Sequence, residues 1–67
     1  MAGKKQQLTE QKRLYIERMP AMELQKTHLW YINRCMEYDI FKDISHTEAY
    51  MMREALGTEL RIRMSAQ

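Results

Sequence analysis

The sequence predicts an all-α fold: a small three-helix protein, built as an antiparallel helical hairpin with a shorter N-terminal helix packed across it. Three observations carry that expectation. Apolar residues recur at helical spacing through two long segments and one short one. The only proline, Pro20, falls between the short segment and the first long one. A helix-start signal, Ser45-His46-Thr47-Glu48, stands before the second long one. No segment shows the alternation of a half-buried strand.

The chain of 67 residues makes one domain. Residues 1–7 are polar and basic and read as a solvated arm. They lack the apolar stretch of a secretory signal. Thr9 is placed to cap the first helix, expected over 9–19, with Glu10 in the first turn where the helix dipole favours a negative charge. Tyr15 and Met19 share one face of it, in line with Leu8 and beside Leu14, and Arg13 and Glu17 are spaced to pair.

Pro20 suits the first turn of a helix and pushes Met19 away from helical angles, so a bend is expected there. The second helix is expected over 20–38. Met22, Leu29, Ile32, Met36 and Ile40 fall on one face of it. Leu24, Tyr31, Cys35 and Tyr38 fall on the opposite face, with Trp30 and Phe41 between. A surface helix normally has one apolar stripe and one polar side. This one has two stripes, and the better-populated one, beginning at Met22, is expected to face the core.

Residues 39–44 read as the turn. Ser45 and Glu48 form a capping box, flanked by Ile44 and Ala49 as a hydrophobic staple. The third helix is expected over 46–63, with Ala49, Met52, Leu56 and Leu60 as its main stripe and Met51, Ala55 and Ile62 as a weaker second one. Gly57 costs about 1 kcal/mol relative to alanine within a helix. It marks either a close helix approach or a break, and Leu60, extending the stripe beyond it, favours a continuous helix. Glu59 and Arg63 are spaced to pair.

Composition narrows the function. Eleven basic and nine acidic residues are interleaved, for a net charge of +2. No apolar run approaches the roughly 20 residues of a membrane span. Cys35 is the only cysteine, which fits a reducing, cytoplasmic setting. His28 and Cys35, seven residues apart, stand roughly 10 Å apart along a helix. That spacing suits neither one metal nor a catalytic dyad, and no C-x-x-C or H-x-x-x-H occurs. No enzyme activity, metal or cofactor is therefore expected.

Seven methionines, four tyrosines and one tryptophan are types that adapt to or anchor interfaces. One hairpin core cannot cover both stripes of the second helix, and a large apolar remainder marks an interaction site. The expected function is binding to a larger protein and modulating it, most simply by inhibition. Small regulators of phages and mobile elements have this character. The expected docking residues are Leu24, Trp30, Tyr31, Cys35, Tyr38 and Phe41, continued by Met51, Ala55 and Ile62. The same stripe also suits a homodimer. A dimeric DNA-binding regulator is the alternative, using Lys4 and Lys5 on the arm and Arg53, Arg61 and Arg63 on the third helix. Glu48, Glu54 and Glu59, mixed into that helix, weigh against it.

The segment LGTELRIR over 56–63 resembles the closing helix of the sporulation antikinases, small two-helix inhibitors of a histidine kinase. The resemblance covers eight positions and carries over no site residue. It supplies a precedent for a helical hairpin that inhibits an enzyme by docking on it.

Overall fold

The computed structural model describes residues 8–43 and 45–66, which form α1 (Glu10–Glu17), α2 (Ala21–Ile40) and α3 (Thr47–Ser65). The described residues contain no strand. Helices α2 and α3 form the hairpin, and α1 lies against α3. The arm over 1–7, with Lys4 and Lys5, and Ile44 of the expected staple lie outside the described residues.

Each helix starts for a local reason. Thr9 caps α1 as expected, its hydroxyl accepting from the Lys12 amide at 3.3 Å. Eight residues are too few for a helix to persist alone in water, so α1 depends on its packing. Its inward residue is Ile16, and Met19 follows just beyond its end, both 3 % exposed. Tyr15, expected to share a face with Met19, is 56 % exposed. Pro20 bends the chain in extended geometry (φ −60°, ψ 150°) and accepts from the Leu24 amide at 2.8 Å, opening α2.

Helix α2 runs to Ile40, two residues beyond the expected end. It closes in a Schellman motif: the Asp43 amide donates to the Tyr38 carbonyl (2.8 Å) and the Lys42 amide to that of Asp39 (3.1 Å). Lys42 takes the left-handed conformation that glycine usually fills there, at φ 55°.

The expected capping box does not form. His46, not Ser45, precedes α3, and no side chain caps the helix. The Asp43 carboxylate takes the Ser45 amide (3.1 Å), which Glu48 would accept in the box, together with the Ser45 hydroxyl (2.6 Å), and lies 2.8 Å from His46 Nε2. Glu48 turns instead to Lys12 of α1 in an ion pair.

Helix α3 is continuous through Gly57. It also comes close to α2 there: a Cβ on Gly57 would sit 3.0 Å from His28 Nε2. The core gathers where the end of α1, the start of α2 and the middle of α3 meet, around Ile16, Met19, Leu24, Met52 and Leu56. The molecule is flat, 37 × 31 × 19 Å, so each long helix has one face on the core and another on solvent.

Candidate functional site: the outer face of α2

The two stripes of α2 are placed the opposite way round from expectation. Leu24 and Cys35 are fully buried against the hairpin, and Tyr31 and Tyr38 are half-buried beside them. The better-populated stripe faces out: Met22 is 71 % exposed, Leu29 58 %, Met36 54 % and Ile40 72 %. Ile32, at its edge, is half-buried.

The choice of face follows from what α3 offers. Tyrosine carries a polar tip, which needs a hydrogen-bond partner at the margin of a core. Tyr50 of α3 finds one, donating to Asp39 Oδ1 at 2.5 Å and reaching the Cys35 carbonyl at 3.5 Å. The Asp39 carboxylate, with burial behind it, pushes the Tyr50 phenol up to about 12. Tyr38 stacks on His46 with ring centres 3.8 Å apart and tilts against Tyr50. Hydrogen bonds from Ser45, then the His46 contact, hold the Asp43 carboxyl below its usual range. Tyr38 and Cys35 therefore belong to the turn end of the hairpin, while Leu24 belongs to the main core.

The expected docking set thus divides. Leu24 and Cys35 lie in the interior and cannot anchor a partner of the folded chain. Burial also pushes the Cys35 thiol up, keeping it protonated and unreactive. Tyr31, Tyr38, Met51 and Ala55 are half-buried. Met51 and Ala55 line an open groove of about 580 Å³ between α1 and α3, with Leu8, Arg13 and Tyr50. Trp30, Phe41 and Ile62 are exposed, at 51 %, 79 % and 57 %. Trp30 and Phe41 flank the outward stripe, and the Arg34 guanidinium lies over the Trp30 ring at 4.8 Å.

Two of the arginines expected to meet nucleic acid are engaged within the fold. Arg63 donates to the Met19 (2.6 Å), Glu17 (2.9 Å) and Ile16 (3.3 Å) carbonyls and to Glu59 (2.9 Å). It closes the C-terminal end of α1, whose last turn has no basic residue of its own. Sequence reading found the Glu59 pair but missed this latch, because no local pattern announces a contact across more than forty positions. Arg53 lies over the Tyr50 ring at 5.3 Å. Arg61 is exposed, with a long contact to Thr58.

Among the described residues no three His, Cys, Asp or Glu side chains converge as metal ligands would. Nor is any helix of the described residues long and apolar enough to cross a membrane. Comparison with protein-family models, curated proteins and solved structures finds no match to this chain.

Proposed function

We propose that this chain is a small regulatory protein that docks on a larger protein through the outer face of α2 and modulates it, most simply by occluding a working surface. One observation carries the reading: Met22, Leu29, Met36 and Ile40 stand exposed in a single line along a helix of 20 residues. A 20-residue helix spans about 30 Å. Large exposed apolar patches mark interaction sites, and flexible methionine adapts such a patch to its partner. The lone buried cysteine is compatible with a reducing, cytoplasmic setting.

The test is photo-crosslinking in a host lysate from a reporter at Gln25, on the rim of the stripe, compared with one at Thr58 on α3. The reading expects one protein captured in stoichiometric yield from Gln25 and lost with Leu29→Glu plus Met36→Glu. Capture that survives both substitutions, in a variant with unchanged helicity, refutes it. So does capture that disappears with nuclease treatment.

A further inference from the structure

We infer that the outer face of α2 takes a second copy of this chain, paired antiparallel across a two-fold axis that crosses the helix beside Tyr31 and Ile32. The inference rests on the reading of this face as a protein-docking surface: in the free protein the copy covers it, and the larger protein takes it by displacing the copy. A two-fold interface must be self-complementary: if residue i meets residue j, residue j meets residue i. The stripe meets that condition. Met22 and Ile40 lie nine residues to either side of the axis, so each end of the stripe meets the other end of its copy.

Charge supplies the second argument. Lys26 and Glu37 lie on the same flank of the stripe, eleven residues apart. Each is therefore about 8 Å along the helix from the axis, on opposite sides of it. Antiparallel pairing brings like flanks together, so Lys26 of one chain meets Glu37 of the other, twice. Parallel pairing sets this flank against the one bearing Gln25, Ile32 and Asp39, where the one charge, Asp39, stands about 20 Å along the helix from Lys26 and level with Glu37, a like charge. Both groups are accessible. Lys26 is exposed and has no ion-pair partner among the described residues, while Glu37 makes only a 3.5 Å contact with Arg34.

Area supplies the third. The four stripe residues, with Trp30 and Phe41 on the flank, each expose on the order of 100 Å². Together they offer on the order of 600 Å² per chain, near the roughly 800 Å² per partner of a standard interface. The aliphatic stem of Lys26, lying over Met36 of the copy, adds to this. Asn33 falls in the seam within a turn of the axis, where the two amides can bond to each other. A polar residue in an apolar seam fixes register and orientation.

Sedimentation equilibrium of the whole chain, from micromolar to millimolar concentration, tests this. A dimer is expected. Lys26→Glu alone and Glu37→Lys alone each weaken it by roughly tenfold, since both symmetric attractions become repulsions. Lys26→Glu combined with Glu37→Lys restores it. Both positions are exposed, and helicity checks that each variant folds. A monomer at about 1 mM, or a dimer indifferent to both single exchanges, overturns the antiparallel pairing. Leu29→Glu separates the two readings. A monomer that captures a larger protein and loses it with Leu29→Glu refutes the dimer and keeps the docking face. A dimer and a capture both indifferent to Leu29→Glu refute the face itself.

Discussion

Replacing Arg63 should loosen the whole of α1. Its guanidinium donates to three carbonyl oxygens at the end of that helix and to Glu59, and its side chain is 27 % exposed. Hydrogen bonds to a charged group contribute about 1.5–3 kcal/mol each when well shielded. These bonds share one side chain and partial exposure, so their sum is discounted to about 2–3 kcal/mol for Arg63→Ala. Glu59, only 17 % exposed, is left without its partner and adds to the cost. For a domain this size each kcal/mol moves Tm by roughly 4–8 °C, so a fall of about 10–20 °C is expected. Arg63→Lys should keep the charge but reach fewer of the carbonyls, recovering about half of the loss. Urea unfolding followed by far-UV circular dichroism gives the totals. Amide hydrogen exchange gives the location: protection should fall in α1 before α2 and α3. A loss below about 0.5 kcal/mol, full rescue by lysine, or uniform loss of protection across all three helices refutes the latch.

Three further outcomes follow from the geometry. Lys42→Gly should raise stability by about 1 kcal/mol in thermal melts, because it relieves a left-handed residue in an intact Schellman turn. Gly57→Ala should gain less than the roughly 1 kcal/mol of helix propensity in the native chain, where its methyl meets His28, and the full gain in a His28→Ala background, which a double-mutant cycle measures. Tyr50 should titrate in ultraviolet absorbance near 12 rather than near the ordinary 10 or so, and Asp39→Asn should return it toward that value. Because the folded state holds this proton more tightly, the contact's contribution is complete below pH of about 10 and is lost as pH rises through 12.

Helix count, order and approximate limits were legible because they depend on local chemistry. Thr9 offers a hydroxyl to a free amide, Pro20 cannot continue a helix, and the α3 stripe of Met52 and Leu56 is clearly the stronger of that helix's two. The buried face of α2 was not legible. Both of its stripes recur at helical period, and periodicity weighs the number of apolar residues rather than what they will meet. The decision lies in α3, where Tyr50 reaches Asp39, Gly57 admits His28, and Leu56 joins Leu24 in the core. Ile16 was overlooked for a related reason. In an eight-residue helix several faces fit equally well, and the Arg63 latch selects the one that puts Ile16 inside. Even the capping box failed through a neighbour, since Asp43 takes the serine that would have capped α3.

The inversion of α2 bears directly on function. Fully burying a large aliphatic side chain stabilises by about 1.5–3 kcal/mol. A fold under pressure only to stabilise its monomer would turn Met22, Leu29, Met36 and Ile40 inward and leave the tyrosines, with their polar tips, outside. Here Tyr38 is drawn in by His46 and Tyr50 and Tyr31 packs against the core, and the aliphatic line is left in water. On the proposed reading, stability and docking are divided between opposite faces of one helix. Substitutions on the outer line should change monomer stability by no more than about 0.5 kcal/mol, as at other exposed positions, while removing association. Substitutions at Leu24 or Leu56 should unfold the chain. A surface with no role would not need that division, because polar residues at the same four positions would leave the hairpin core untouched.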